Sequence, residues 1–368
     1  MKIIIKYRGL LQGRREFAKT LTLGSAGIAL SQFINSGCAP NVPKIHKTGS
    51  LISPELGTKE TSVSLMTGTD RRQMVYDSLI PFEEHLQEAI KDKQVVVKVN
   101  LMGPGNPLCT THPDAVRGLL DFLKPIYDRP VIVFESKGFE PNFEHFGYFP
   151  LKKEYNIKMM DLALTRQPMN TQFVLNENLL PEPIRIFDAY IDPNNYIISL
   201  AQMKTSGGVI ATLGLKNVAM GAPVKIRSLN VNDKGKMHAA ASGTPKLHNF
   251  NIFLMAHRTH PHFSIVDGVV SMEGNGPIKG TPVEHNVVFS GPDFVAVDRI
   301  GIELMGIEWE KVGYLQYCSN FGLGQGDRSK INIIGANPKD HVIAYKMSDK
   351  VEWQYSWDED ISIIEKED

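Results

Sequence analysis

A strand–helix–strand pattern in the first third of the chain constrains the fold more than any other feature of the sequence. The run Gln94–Val99 is apolar and β-branched, as expected of a buried strand. The sequence Thr-His-Pro-Asp at 111–114 predicts a helix start, because proline and an acidic side chain both suit the first turn. This helix is predicted to run to about residue 127, and a second apolar run at 130–134 follows it. Such a unit implies a parallel sheet with a right-handed crossover.

Strands and helices continue to alternate through the rest of the chain. The sequence predicts an α/β fold with a mainly parallel central sheet flanked by helices. The polar segment 222–250 is predicted to be an inserted loop or mobile lid. The further predicted elements are strands near 196–200, 263–270, 286–289 and 331–334, and a helix at 293–305.

The distribution of charge argues against a nucleic-acid partner. The 368 residues contain 40 Lys and Arg against 40 Asp and Glu. Residues 1–38 contain six basic side chains and one acidic one, a net charge of +5, so the remainder carries −5. A mildly acidic body lacks the basic patches that coat phosphates. Because no run of eighteen apolar residues follows the N-terminal segment, we expect no transmembrane span there.

The N-terminal segment carries a twin-arginine export pattern. The sequence RREFAK at 14–19 precedes a short, moderately apolar stretch at 20–30. We therefore expect residues 1–38 to be a signal peptide for the twin-arginine (Tat) translocase, and the protein to be periplasmic or anchored on the exported face. The alternative is an amphipathic first helix with a chance arginine pair.

Cys38 is a candidate for lipid attachment. It ends the sequence Asn-Ser-Gly-Cys at 35–38, which resembles a lipoprotein cleavage box except that Asn35 stands where Leu is usual. A membrane tether through Cys38 and ordinary cleavage nearby are both open. We expect a flexible tether at 39–60, the α/β body at 61–346 and an acidic C-terminal tail at 347–368.

The remaining cysteines exclude several metal centres. Only Cys109 and Cys318 follow Cys38, and no CxxC motif is present. Zinc ribbons, thioredoxin-like chemistry and a bound iron–sulfur cluster are therefore not expected. A disulfide between Cys109 and Cys318 is compatible with export, but two separate buried thiols are the favoured interpretation.

Lysine and amide side chains follow several predicted strands. Ligands of open α/β sheets bind beyond the carboxyl ends of the strands. We expect these side chains to meet at one rim: Lys98, Asn100, Lys137, Lys204, Lys216 and Asn217. Ammonium groups with amide donors suit a carboxylate or a phosphate. Each lysine taken singly could instead be a solvated surface charge.

The densest polar motif lies at 264–277. Asp267 and Glu273 are separated by strand-like residues and followed by Gly-Asn-Gly-Pro, which includes Asn275. One interpretation is a loop that presents Glu273 to a ligand or metal, and the other is a tight turn in which Asp267 caps backbone amides. A GxGxxG after a strand and a GxxxxGK[ST] are both lacking, so nucleotide binding is unsupported.

Histidines supply two further candidates. His260 and His262 could complete a divalent-metal site with Asp267 and Glu273, although the alternative is a surface loop between a helix and a strand. His112 lies at a predicted helix N-terminus, where the pKa of an imidazole tends to fall. A neutral His112 could act as a general acid or base, or simply close the helix start.

Taken in order, several motifs resemble the family known as domain of unknown function 362. The matching stretches cover about 94–336: VKVNL at 97–101, TTHP at 110–113, KT at 204–205, TLGLKNV at 212–218, DG at 267–268, EGNGP at 273–277, DFVAVD at 293–298 and MGI at 305–307. The resemblance implies that the Lys, Asn, Asp and Glu positions are a shared polar set, but it implies no reaction. Members often carry His where this chain has Ser206, and some are fused to iron–sulfur modules that the cysteine count excludes here.

These observations support two hypotheses. The first is an exported enzyme acting on an anionic small molecule, such as a hydroxy acid or sugar acid, by redox or isomerisation chemistry that a divalent metal could assist. Its ligand-binding residues would be Lys98, Asn100, Lys216, Asn217 and Asn275. Its catalytic residues would be His112, Lys204, Asp267 and Glu273. The second is a non-catalytic periplasmic binding or assembly lipoprotein.

Overall fold

The structure is a computed structural model that describes residues 59–102, 106–136, 142–237 and 244–359. The predicted signal peptide, Cys38, most of the predicted tether and Lys137 lie outside the described residues, as do residues 360–368.

In chain order the strands are β1 (Thr61–Thr67), β2 (Gln94–Val99), β3 (Val131–Glu135), β4 (Ile157–Asp161), β5 (Met169–Leu175), β6 (Pro181–Phe187), β7 (Asn195–Thr205), β8 (Ala211–Thr212), β9 (Lys225–Ile226), β10 (Val231–Asn232), β11 (Phe263–Asn275), β12 (Lys279–Val283), β13 (Val287–Gly291) and β14 (Ile331–Gly335). The helices are α1 (Arg71–Leu79), α2 (Glu83–Ile90), α3 (Pro113–Leu123), α4 (Asn142–His145), α5 (Leu151–Glu154), α6 (Gly214–Ala219), α7 (Pro245–Ala256), α8 (Phe294–Leu304), α9 (Gly313–Asn320) and α10 (Val351–Tyr355).

One large, mostly parallel sheet organises the described residues. Its strand order is β14-β1-β13-β11-β7-β2-β3-β4, with β8 paired to β7 and β12 paired to β11. The pairs β11–β7, β7–β2, β2–β3, β3–β4 and β1–β14 are parallel, whereas β13 runs antiparallel to both of its neighbours. One apolar core, which includes Val96 and Phe134, packs with α6 to α9, and the other, which includes Val97 and Val133, packs with α1 to α3. The predicted α/β fold with a mainly parallel sheet and flanking helices is confirmed.

The first crossover shows how local sequence sets an element's ends. His112 caps α3 by accepting from the backbone N–H of Asp114, and Pro113 occupies the first helical position. The helix ends at Leu123, short of the predicted residue 127. Pro125 explains the difference, because proline has no N–H to donate to the carbonyl four residues earlier and its ring crowds that carbonyl. Lys124, the residue before it, still has helical dihedrals.

A glycine brings α3 against α1 on one face of the sheet. A Cβ on Gly118 would lie 2.3 Å from the backbone oxygen of Arg72 and 2.9 Å from the Val75 Cβ. Real Cβ atoms do not approach backbone oxygen so closely, so the two helices can keep this separation only while residue 118 has no side chain.

We expect Gly118→Ala to lower the free energy of unfolding by about 1–3 kcal/mol, because overpacking outweighs the better helix propensity of alanine. Urea denaturation of the full chain measures the change. The exposed Glu88→Ala on α2 is the matched control and should change the value by less than about 0.5 kcal/mol. A Gly118→Ala protein as stable as the wild type would contradict this packing.

The segment 222–250, predicted to be an inserted loop or mobile lid, contains regular secondary structure where it is described. β9 and β10 pair within it, joined through Asn230 in the left-handed conformation, and residues 233–237 are helical. Thr244 caps α7, and Leu247 in its first turn is buried. Polar turn and cap residues made this segment resemble a loop, although its second half begins a packed helix.

The C-terminal segment also differs from the predicted tail. Within 347–359, Gln354 donates to the Ser206 carbonyl at 2.6 Å, and the Trp357 ring packs edge-on against Tyr317. Aromatic side chains interspersed among the acidic ones bury enough apolar area to hold this stretch against the body.

Two further predictions concern thiols and membranes. Cys109 and Cys318 are both buried and are not joined by a disulfide, as the favoured interpretation expected. Among the described residues, none of the helices combines the length and the apolar character needed to cross a bilayer.

Candidate functional site

A pocket opens at the carboxyl edge of the parallel strands, where the sequence predicted one. Its volume is ≈ 260 Å³. It is lined by Lys98, Asn100, Met102, Glu135, Ser136, Lys204, Thr212, Lys216, Asn217, Met220, Gly221, Lys225, Asn232, Lys234, Gly235 and Pro277. Among these described lining residues are five lysines, and Glu135 supplies the one carboxylate. The predicted residues Lys98, Asn100, Lys204, Lys216 and Asn217 are all brought together here.

Lys98 and Glu135 form a buried ion pair that joins the ends of β2 and β3. Lys98 Nζ lies 2.9 Å from Glu135 Oε1, and the two side chains are 2% and 1% exposed. The carboxylate also accepts from the backbone N–H groups of Leu101 and Ser136, each at 2.8 Å. These bonds satisfy a charge that would otherwise be costly to bury.

Asn217 connects α6 to two strands of the sheet. Its amide donates to the Lys98 carbonyl at 3.0 Å and to Ser199 Oγ at 3.1 Å. Its Oδ1 accepts from Lys98 Nζ and from Asn100 Nδ2, both at 3.2 Å. Both ends of the amide are therefore used, which fixes the position of α6 at the pocket.

Lys204 lies on the other side of Asn100. Its ammonium donates to Asn100 Oδ1 at 2.8 Å and to the Cys109 carbonyl at 3.3 Å. Lys204 is 1% exposed, so its ammonium group lies buried in the site. A carboxylate or phosphate bound beside it would accept a charge-assisted hydrogen bond.

Lys216 has a different environment. Its amine donates to Ser206 Oγ at 2.7 Å and to Thr212 Oγ1 at 3.1 Å, and both of these partners are hydroxyls. Burial lowers the pKa of Lys216 to about 7. A lysine with such a pKa holds a substantial neutral fraction near neutral pH, so it can act as a base or nucleophile as well as a cation.

Asp298 holds the helix that carries Lys216. Its two carboxylate oxygens accept from the backbone N–H groups of Gly214 and Leu215, at 2.8 and 3.1 Å. Burial raises the pKa of Asp298 to about 7, against the opposing effect of these bonds. The position of α6 therefore depends on a buried carboxyl group on α8.

The structure places Asp267 outside the pocket. Asp267 Oδ2 lies 2.8 Å from Arg71 Nε, and Oδ1 accepts from the Val269 backbone N–H. Alternation along β11 puts Asp267 on the same side as Ile265, which packs on the face covered by α1 to α3. Lys98 lies on the opposite face, so Asp267 does not join the lysines in one site, as its predicted catalytic role required.

Glu273 and Asn275 bind the C-terminal segment rather than lining the pocket. Glu273 Oε2 accepts from the Lys346 backbone N–H at 2.8 Å. Asn275 Oδ1 accepts from Ser348 Oγ and from the Asp349 backbone N–H. Of the 273–277 motif, Pro277 lies in the pocket wall.

The predicted metal set is not brought together. His262 directly precedes β11, and its Nδ1 accepts from the backbone N–H of Ile197 in β7. His260 Nδ1 lies 2.9 Å from the Ala256 carbonyl oxygen. His262 and Glu273 lie towards opposite ends of β11, eleven residues apart, which is roughly 36 Å of extended strand at about 3.3 Å per residue. No group of three or more His, Cys, Asp and Glu side chains in the described ranges is arranged to hold a metal ion.

His112 caps α3 and does not line the pocket. Its Nδ1 accepts from the Asp114 backbone N–H at 3.1 Å. Burial, followed by the positive charge of Arg71, lowers the pKa of His112, in the predicted direction. The described contacts correspond to the alternative in which His112 closes the helix start.

Sequence reasoning missed several functional candidates. Glu135 was not among the predicted site residues, and the pocket lysines Lys225 and Lys234 fell in the segment predicted to be a loop or lid. The signal for Glu135 was its place as the last residue of a buried strand, one residue beyond Phe134, which pairs with Lys98 on the neighbouring strand. Ser206 and Thr212 gave no signal, because their role depends on the position of Lys216.

We expect Lys216→Met to stabilise the protein below pH 7. The folded state binds the Lys216 proton more weakly than the unfolded state does, so burying the charged lysine lowers the free energy of unfolding. This loss of stability is full below pH 7 and shrinks as the pH rises towards 10.5. Methionine also loses the two hydrogen bonds of Lys216, which contribute about 1 kcal/mol each. The free energy of unfolding of the variant should therefore exceed that of the wild type by about 1–3 kcal/mol at pH 6. Urea denaturation from pH 6 to pH 9 measures the gain. Lys124→Met, an exposed control, should show none, and an equal gain at all pH values would contradict the assignment.

Comparison with known proteins places this pocket in a family context. A family model described as domain of unknown function (DUF362) matches residues 95–303. The thylakoid-associated protein sll1697 of Synechocystis sp. is 24% identical over 226 residues, which cover 58% of this chain and 64% of that protein, so this chain spans less than two thirds of its length. A crystal structure of a Thermotoga maritima protein aligns over 70% of this chain and 60% of its own, with a TM-score of 0.37 and 13% identity. Since the matched region is more than half of the chain and contains all five pocket lysines, the chain belongs to the domain of unknown function 362 family.

Proposed function

We propose that this protein is an exported enzyme that acts on an anionic small molecule, such as a hydroxy acid or sugar acid, bound in the lysine pocket. The observation that carries the proposal is the lining of a ≈ 260 Å³ cavity, whose described residues include five lysines and one carboxylate. Export rests on the twin-arginine pattern at 14–19. The relative's name, thylakoid-associated, fits a location near a membrane.

Charge and size define the ligand. Glu135 pairs with Lys98, and the described lining of the pocket carries more lysines than carboxylates, a balance that suits a carboxylate or phosphate ligand. At about 30 Å³ per water molecule, the cavity holds roughly nine waters, the space of a small organic acid. Low solvent exposure strengthens the attraction, because the local dielectric is lower than that of water.

The residues divide into holding and reacting groups. Lys98, Asn100 and Asn217 form an interlocked network that fixes the floor of the pocket. Lys204 would bind the anion, and Lys216 would give or take a proton near neutral pH. Donors fixed in a buried site would also stabilise an oxyanion that develops in an isomerisation or redox step.

A second candidate function is ligand binding without turnover. It is favoured by the same interlocked network, in which the Asn100 and Asn217 amides already bond to one another and to the lysines. Such an arrangement is rigid, and a preorganised site binds with little ordering cost. A lipid tether at Cys38 would suit this role.

Isothermal titration of the full chain tests the proposal with lactate, gluconate, glucuronate and a sugar phosphate, each against a neutral analogue. Anions should bind more tightly than their analogues, and Lys204→Met should weaken binding by about tenfold or more. The exposed Lys124→Met should bind as the wild type does. Equal affinity for neutral analogues would contradict the proposal.

Turnover separates the two candidates. Nuclear magnetic resonance of each bound acid over hours reports any chemical change. Conversion that Lys216→Met abolishes would support the enzyme. Tight binding without conversion of any acid in the panel would support the binding protein instead.

A further inference from the structure

We propose that Lys216 is a nucleophilic amine that forms an imine with the carbonyl group of a small oxo acid bound in the pocket. The inference rests on the proposed function, since it names the chemical class of the anion and the atom with which it reacts. It changes the role of Lys216 from binding a charge to making a covalent bond.

The pocket lysines are not equivalent in their contacts. Lys98 is paired with the Glu135 carboxylate, and Lys204 donates to an amide oxygen and a backbone carbonyl. A carboxylate or carbonyl oxygen can only accept, so these partners favour an ammonium form. The amine of Lys216 contacts only Ser206 Oγ and Thr212 Oγ1 among its described partners.

Hydroxyl partners accommodate both states of an amine. A hydroxyl accepts a hydrogen bond from an ammonium, and by rotation it donates one to a neutral amine. Ser206 Oγ also accepts from the backbone N–H groups of Gly208 and Val209, at 3.3 and 3.4 Å, which leaves its own proton to point towards the amine. Burial acts in the same direction, because desolvation disfavours the ammonium form.

The amine is also held in a fixed place. Lys216 lies on α6 between Leu215, whose N–H is bound by Asp298, and Asn217, whose amide is bound to β2 and β7. A nucleophile on a short helix anchored at both sides keeps its position while a substrate enters. The neighbouring ammonium of Lys204 would then hold the carboxylate of the same oxo acid.

The step balances without an added oxidant or reductant. The lone pair of the neutral Nζ amine attacks the carbonyl carbon, and the C–N bond forms as the carbonyl π bond breaks and one of the two amine protons moves to the carbonyl oxygen. The resulting carbinolamine loses that oxygen as water together with the second amine proton. The C–O bond breaks as the C=N bond forms, and the neutral imine remains and can take up a proton from solvent. A protonated imine withdraws electrons from the adjacent carbon, which favours proton removal or carbon–carbon cleavage there.

Reductive trapping tests the imine directly. The full chain is incubated with pyruvate or 2-oxoglutarate and sodium cyanoborohydride, and intact mass is measured. We expect one adduct per chain, equal to the mass of the acid less one oxygen, with loss of tryptic cleavage after residue 216. Labelling should saturate with acid concentration and be absent with lactate, which has no carbonyl group.

Two variants and a binding measurement make the outcomes distinct. Lys216→Met and Lys216→Arg should lose the adduct while retaining the wild-type circular dichroism spectrum, and Lys124→Met should keep it. Non-saturating labelling spread over surface lysines, or labelling at another pocket lysine, would overturn the inference. Titration that shows pyruvate and lactate binding alike, without an adduct, would overturn the imine but leave the proposed function standing. Absence of both binding and adduct would overturn both.

Discussion

Replacing Glu135 with leucine is expected to lower the free energy of unfolding by about 3–5 kcal/mol, because it leaves the buried Lys98 ammonium without its counter-charge. The backbone N–H groups of Leu101 and Ser136 would lose their acceptor at the same time. Urea denaturation at pH 7 measures the loss. If the variant fails to accumulate as folded protein, the same comparison can be made with Glu135→Gln, which keeps an acceptor and should lose less.

The double variant Lys98→Met/Glu135→Leu is the matched control. Removing both charges eliminates the desolvation cost, and apolar replacements of a buried pair are often neutral or stabilising. We therefore expect the double variant to recover at least half of the loss. A double variant as unstable as Glu135→Leu would show that the backbone contacts of Glu135, and not its charge, account for the effect.

Replacing Asp298 with asparagine is expected to remove a large pH dependence of stability. The folded-state pKa of Asp298 is raised from 3.8 to about 7, so the folded protein binds this proton more tightly than the unfolded chain does. The contribution of protonated Asp298 to the free energy of unfolding is therefore full below pH 4 and is lost as the pH rises through 7. This loss amounts to at most about 4 kcal/mol, and it is absent from the variant because asparagine does not ionise.

Urea denaturation at pH 5, 6, 7 and 8 tests this expectation through the difference between wild type and variant. At pH 5 the variant should be less stable than the wild type, because asparagine can accept only one of the two hydrogen bonds from the backbone of α6. The difference in free energy of unfolding should shrink as the pH rises to 8. Asp293→Asn is the matched control, because burial raises the pKa of Asp293 only to about 6. The difference in free energy of unfolding between this variant and the wild type should therefore stop changing at a lower pH than it does for Asp298→Asn. Parallel curves for Asp298→Asn and wild type would contradict the raised pKa.

The strand-end lysines show where sequence reasoning succeeded. Lys98 and Lys204 each follow or end an apolar strand, and parallel strands share one carboxyl edge. Lys98 and Lys204 come together at Asn100 because β2 and β7, the strands that carry the two lysines, are neighbours in the sheet. Lys216 and Asn217 were predicted for the same reason, although their position depends on α6.

The carboxylates show where it failed. Asp267 and Glu273 lie in a strand whose residues alternate between faces, and a bulge in β11 alters the register between them. Asp267 turned towards Arg71, a residue nearly two hundred positions earlier, and Glu273 turned towards the C-terminal segment. A motif read along the chain treats its acidic residues as one group, whereas the pleat of the strand and distant partners separate them.

The sequence by itself determined the class of fold, the direction of the strands and the edge at which a basic pocket forms. Hydrophobic periodicity and helix-start chemistry act over a few residues, so they can be read locally. Only the tertiary structure decided which charges are neutralised and which amine loses its proton. Glu135 reaches Lys98 from another strand, and Asp298 reaches α6 from another helix. Burial sets the pKa of Lys216, and that burial follows from how α6 packs in the fold rather than from the neighbouring residues of the chain.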